Sequence, residues 1–254
     1  VTSKLKAWER PHYAPGGGEP FLFYVIYGNI ENSAPLSRQQ YRSLGVPSGI
    51  KLSSYGPSKH PEVPSSFCQG YLWDEFENQA PNLATQVEGC DQCLILQGTP
   101  EEFATLNYLR DTVGLITYLL DQGGCAVYDP LMFRWWSAAD WKEHLFVPAA
   151  PVPRHHAVIL VSDEANSSLK WFHTRGMRKF GRPDISVRHV PLEYEEGIID
   201  LCNRLIEHMA FGHIVPEGQK INMKSLPGGG IIQHGGDLDD PDFNNVHIEV
   251  KLNI

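Results

Sequence analysis

Apolar residues recur along this chain in two rhythms, every second position and every third or fourth, and the alternation between them outlines the elements. Phe21 to Ile30 is a compact aromatic and aliphatic run of high strand propensity and predicts a first core strand. Cys93 to Gln97 predicts a short buried strand. Thr99-Pro100-Glu101-Glu102 then has the make-up of a helix start, with threonine as cap, proline at the first helical position and Glu102 reaching back. Phe103, Leu106, Leu109, Val113, Ile116 and Leu120 follow at spacings of three and four, one face of a helix that stops at Gly123-Gly124 before a strand at Cys125 to Tyr128. His156 to Ser162 predicts a central strand, Asp163 to Ser168 its exit loop, Leu169 to Phe180 a short helix or turn, and Ile185 to Val190 another strand. Pro191 to Gly212 opens with Glu193, Glu195 and Glu196 and places Ile198, Leu201, Leu205 and Met209 on one face, a second principal helix. Val246 to Leu252 closes the pattern as an alternating, half-exposed strand.

Between these elements the pattern is punctuated by proline and glycine. Residues 1 to 20, with Pro11, Pro15, Pro20 and Gly16-Gly17-Gly18, predict a flexible lead-in. Residues 31 to 89 hold six prolines among serines and glycines; a helical turn at Ser37 to Leu44 and an anchor at Tyr71 to Phe76 break what would otherwise be an unusually long loop. Pro148 to Pro153 is the one internal linker, and Leu226 through Asp237 reads as a mobile glycine-rich loop or hairpin tip. The expectation is an α+β fold with mixed sheet and two principal helices. It is a single compact domain over 21–254, with strand-helix-strand halves at 21–147 and 154–254.

Composition narrows the function classes. The chain has 254 residues, 42% of them hydrophobic, enough for a sizeable core. Its 21 basic against 30 acidic residues argue against a broad footprint on nucleic acid or an anionic membrane. No apolar run is long enough to span a bilayer. The five cysteines are no disulfide framework and read as cytosolic thiols. A cytoplasmic, bacterial-like protein is therefore expected, although Val1 in place of methionine leaves an upstream segment open. Cys90-Asp-Gln-Cys93 has the CxxC spacing of redox or zinc chemistry, but without a second ligand pair two cysteines opening a buried strand account for it better.

The densest chemistry lies in Trp171-Phe-His-Thr-Arg-Gly-Met-Arg-Lys-Phe-Gly-Arg-Pro-Asp184. Gly176 and Gly181 permit turns with positive φ, Pro183 an extended lead into the next strand, and Phe180 an apolar plug. On that view Arg175, Arg178, Lys179 and Arg182 form a solvated face. The alternative is a site for an anion or an acidic partner, since clustered guanidinium groups bind carboxylates bidentately, with His173 and His189 tuning it. The motif resembles the Thr-x-Gly-Leu-x-x-Phe-Gly-x-Pro-Glu signature of uncharacterised bacterial families, some of them associated with toxin immunity, and more distantly suppressor-of-fused-like domains. The resemblance covers about residues 93 to 212, departs from the signature at Met177 and Asp184, and brings no catalytic residues with it.

The first expectation is thus a non-enzymatic binding or immunity-type protein that recognises an acidic protein partner or anionic ligand through His173, Arg175, Arg178, Arg182, Trp135 and Trp136. No cofactor, nucleic acid or membrane is expected. Charge reversal at Arg175 and Arg178 should then leave folding intact and abolish capture. Trp135, Trp136 and Trp141 are more commonly a clamp between layers than a pocket lining. The alternative is a hydrolase, metal-dependent or not, built on His156, Asp163 and His173, which must converge. Asp237 to Asp242 offers oxygen ligands without the EF-hand spacing. Gly228 to Gly230 lacks the lysine of a phosphate loop, and Asn166-Ser-Ser168 is a glycosylation triplet.

Overall fold

The computed structural model describes residues 4–31, 34–101, 103–165 and 167–253. The chain forms two compact units, one comprising residues 1–8 and 21–151, the other residues 9–20 and 152–254. Fold class is α+β in both.

The first unit contains β1 (Leu22–Gly28), α1 (Arg38–Tyr41), β2 (Ile50–Tyr55), α2 (Val63–Ser66), α3 (Tyr71–Gln79), α4 (Pro81–Glu88), β3 (Cys93–Gly98), α5 (Asn107–Asp121), β4 (Gly124–Asp129), β5 (Arg134–Ser137) and α6 (Ala138–Trp141). Its sheet runs β2-β3-β1-β4-β5, every pair antiparallel. The apolar run of β1 has no polar face because both faces are covered. Val25 and Tyr27 join Trp73, Phe76, Ala84 and Val87 from α3 and α4, while Tyr24 meets the edge of Trp141 at 5.5 Å.

The long helix begins later than its capping signal predicts. Its first residue is Asn107 and no side chain caps it; Glu102 lies outside the described residues. Thr99 to Glu101 are instead held at the sheet edge, where the Glu101 amide donates to the Ser48 carbonyl at 3.1 Å and Gly49 lies hard against Thr99. The amide of Leu106 donates to the Trp8 carbonyl, which fixes the helix entrance. Mid-helix Gly114 has a packing reason: a Cβ there would sit 1.9 Å from the Tyr41 carbonyl oxygen. Gly114→Ala improves helix propensity by about 1 kcal/mol, yet overpacking against backbone costs about 1–3 kcal/mol or more. The net expectation is a lower urea-unfolding midpoint, and a raised midpoint would refute the contact.

The second unit contains β6 (Val158–Asp163), β7 (Lys170–Arg175), β8 (Asp184–Val190), α7 (Glu195–Ala210), β9 (Lys220–Met223), β10 (Leu226–Gly235) and β11 (His247–Leu252). Its sheet is mixed, in the order β6-β7-β8-β11-β10-β9, with β8 and β11 parallel. Ile198, Leu201, Cys202, Ile206 and Met209 of α7 are buried, as are Phe172, Ile185, Val187, Ile248 and Val250 of the sheet.

Four sequence expectations are corrected here. Residues 9–20 are not a loose lead-in, because they supply donors to the carbonyls left over at the C-terminus of α7. Arg10 donates to Ala210 and Phe180, and the amides of His12 and Ala14 to Phe211 and Gly212. The stretch Leu169 to Phe180 is mainly strand, with a short 3-10 turn only at Met177–Phe180. Gly228 to Gly230 lie inside β10, and β6 is an edge strand rather than a central one.

Candidate functional site

Period-two alternation on β7 sends Phe172 and Thr174 to one face and Trp171, His173 and Arg175 to the other. Trp171 and His173 stack with centroids 4.0 Å apart and planes 19° apart. Arg188, from β8, lays its guanidinium over Trp171 at 3.9 Å with 39% of its side chain exposed. Trp171 Nε1 donates to Ser186 Oγ at 3.0 Å, which fixes the indole. Phe243 presents its edge to both rings, at 6.1 and 5.8 Å, and stacks on His247 at 4.5 Å. A row of rings therefore runs from Trp171 to His247.

The row ends at a cleft of about 420 Å³, walled by Arg182, Pro183, Ile214, His234, Val246 and His247 together with Gly16 to Gly18 and Gly235-Gly236. Arg182 is held rigidly: Nε donates to the His213 carbonyl at 3.1 Å, Nη1 to Gly181 at 2.8 Å and Nη2 to Gly212 at 2.7 Å. Gly17 is needed for this, since a Cβ there would lie 1.9 Å from Nη1. The volume suits an amino-acid side chain or a small ligand, and the fixed guanidinium favours one bearing negative charge.

Beneath the site Asp184 is fully buried and accepts from Thr174 Oγ1 at 2.8 Å, Asn245 Nδ2 at 2.8 Å and the Met177 amide at 3.3 Å. Burial raises its carboxyl to about 6, against the pull of these donors and of Arg175. Burial lowers His173 to about 4, helped by the charges of Arg175 and Arg188 and opposed by Asp242. His173 Nδ1 is buried without a hydrogen-bond partner.

The motif cations are not the solvated face that one reading of the sequence expects. Arg175 donates to the Asp242 carbonyl, Lys179 Nζ to the His156 carbonyl at 2.9 Å, and both are buried with Arg182. Arg178 is half-buried and donates to Asn244. These long side chains supply hydrogen to main-chain oxygens inside a turn-rich segment, so their charge is structural before it is functional.

Trp135 and Trp136 belong to the first unit. Trp135 stacks on Tyr128 at 4.5 Å and Phe76 at 4.7 Å, and Trp136 is buried with Arg134 over its ring. Both tie layers together. His156, Asp163 and His173 do not converge. His156 is buried edge-on against Phe180, burial with Lys179 nearby lowers it well below its ordinary value, and Asp163 is an exposed partner of Lys170. In the β6–β7 register His173 faces Leu160, three residues and so about 10 Å from Asp163. Among the described residues no group of three or more His, Cys, Asp or Glu side chains is arranged to hold a metal ion. In the acidic loop Asp237 and Asp240 accept from the amides of Asp239 and Asp242 and so cap their own turns. Asn166 lies outside the described residues, and no described helix is long and apolar enough to cross a membrane.

Sequence reasoning missed Arg188, Phe243, His234 and His247. Arg188 and His247 were readable as polar positions of alternating strands, and Phe243 as the one aromatic in an acidic loop. What no pattern carried was that three separate segments meet at His247. No protein-family model, curated protein or solved structure matches this chain.

Proposed function

We propose that this chain is a non-enzymatic binding protein whose second unit recognises an acidic segment of another protein. Its cleft takes a carboxylate beside Arg182, and the partner's chain lies along Trp171 and Arg188. The observation that carries this reading is the continuity of the ring row with the cleft through His247. Tryptophan and arginine are the residue types that dominate binding energy when held rigid, and here each is fixed by a neighbour. An immunity-type role, which the resemblance of the Thr174 to Asp184 motif implies, is one instance of this class.

The test is a titration of the intact protein with a glutamate-rich peptide ending in a free carboxylate, against a lysine-rich peptide of equal length. Val246→Phe fills the cleft from a position 39% exposed, and Arg188→Glu reverses the exposed cation, so both should stay folded. Each should weaken the acidic peptide about tenfold or more, and rising salt should weaken the wild type. Equal binding of the two peptides, or no change in either folded variant, would refute the proposal.

A further inference from the structure

Four of the five cysteines, Cys68, Cys90, Cys93 and Cys125, pack against one hydrophobic cluster of the first unit, between the sheet and α2 to α4. The CxxC spacing directs attention to Cys90 with Cys93, but Cys93 is buried at the start of β3, opposite Tyr27. The sulfur in contact with Cys90 is that of Cys125, Sγ to Sγ at 3.7 Å. A β-bulge produces this contact. Ala126 faces Tyr27 and Gly124 faces Gly28, so Cys125 is the extra residue between them. Regular alternation would turn Cys125 away from Ala126 and from this cluster; the bulge re-aims it. Cys90 in turn follows α4 and lines a cleft of about 440 Å³ together with Pro64, Cys68, Val87 and Glu88.

We propose that Cys90 and Cys125 form a dithiol that closes reversibly to a disulfide, with Cys90 attacking a low-molecular-weight disulfide and Cys125 resolving the product. In the first step the Cys90 thiolate attacks one sulfur of the small disulfide. The small S–S bond breaks, one small thiolate leaves, and a mixed disulfide forms on Cys90. Cys125 then loses its proton to solvent and attacks the Cys90 sulfur, expelling the second small thiolate. Two protein thiols are thereby oxidised by two electrons and one small disulfide is reduced to two thiols. The order follows from access and from the hydrogen bond between the sulfurs. Cys90 is reached from the cleft; burial raises its thiol, and the hydrogen bond from Cys125 pulls against that rise. Cys125 is pushed up to about 12, first by burial and then by Cys90. Closing the 3.7 Å contact to a bond of about 2.05 Å requires adjustment at both side chains.

The proposal is independent of the binding reading for the second unit. The experiment equilibrates the intact protein with mixtures of oxidised and reduced glutathione, blocks remaining thiols by alkylation and maps the peptides by mass spectrometry. The expected result is a peptide pair joined through Cys90 and Cys125, with two fewer alkylated thiols per chain, reversed by excess reduced glutathione. Cys125→Ser should accumulate glutathione on Cys90, and Cys90→Ser should leave Cys125 alkylated. Cys90 and Cys125 both remaining alkylated in wild type under oxidised glutathione, or Cys90 joined to Cys93 or Cys68, would overturn the pairing. Glutathione on Cys125 rather than Cys90 would overturn the order.

Discussion

Arg175→Glu is expected to leave the second unit unfolded at physiological temperature, rather than folded and unable to bind as the sequence alone would have it. Arg175 is 2% exposed and donates to the Asp242 carbonyl, and its charge helps hold the carboxyl of Asp184 down. The reversal removes a buried donor and introduces a second buried carboxylate near Asp184. Breaking a buried charge pair typically costs about 3–5 kcal/mol, a large share of the roughly 5–15 kcal/mol that holds a domain folded. Arg178→Glu is the control. That side chain is half-buried and its Nη1 donates to Asn244 at 3.0 Å, so about 1 kcal/mol is expected. Urea unfolding followed by circular dichroism separates the cases, and midpoints that agree would show that Arg175 does no structural work. Charge reversal is therefore informative about binding at Arg188, where the cation is exposed, and uninformative at Arg175.

His173→Phe is expected to gain stability over wild type progressively as the pH falls below 6.5. The His173 imidazole lies near 4 in the folded chain against an ordinary 6.5, chiefly through burial. A depressed histidine contributes stability that is present above 6.5 and lost as pH falls through about 4, because the unfolded chain takes the proton first. At about 1.4 kcal/mol per unit the full loss is roughly 3 kcal/mol. Phenylalanine keeps the stacking on Trp171 and the edge contact with Phe243, and it removes the buried Nδ1 that has no partner. The difference between the proteins should then be small at pH 7.5 and approach that magnitude near pH 4. Asp184 works in the opposite direction. Its carboxyl is raised from 3.8 to about 6, so its contribution is full below 3.8 and lost as pH rises through about 6. In wild type the two groups largely offset one another, and buried His156 tips the balance toward loss in acid. A variant-to-wild-type difference that does not grow between pH 7 and 4 would show that His173 titrates normally.

Most elements were legible because burial imposes a period on the chain. α7 and β11 follow it closely: Ile198, Leu201 and Met209 on the helix, and Ile248 and Val250 on the strand, are buried where the pattern places them. The failures share a cause. Thr99-Pro100-Glu101 carries a helix-start signal but is held by hydrogen bonds to Ser48 and backbone contact with Gly49, partners about fifty residues away that local pattern cannot supply. Lys170 to Arg175 lacks an apolar rhythm because its second face carries a tryptophan, a histidine and a buried arginine instead of leucines. The glycines of β10 read as loop, yet Gly230 is paired on both sides, with Leu252 and Ile221. The candidate site was half legible. The Gly181-Arg182-Pro183 corner was visible as a motif, whereas its meeting with Gly17, His234 and His247 depends on contacts across much of the chain.

The docking of residues 9–20 has a consequence for synthesis. Arg10 and the Ala210 carbonyl it binds are separated by 200 residues. At about 5–20 residues per second a ribosome needs on the order of 10–40 s to pass from one to the other. For most of that interval the first unit's strands are already emerging while Arg10 has neither of its acceptors, the Phe180 and Ala210 carbonyls. The second unit is completed last from both directions, and a fragment beginning at Val152 would lack the donors that close its helix.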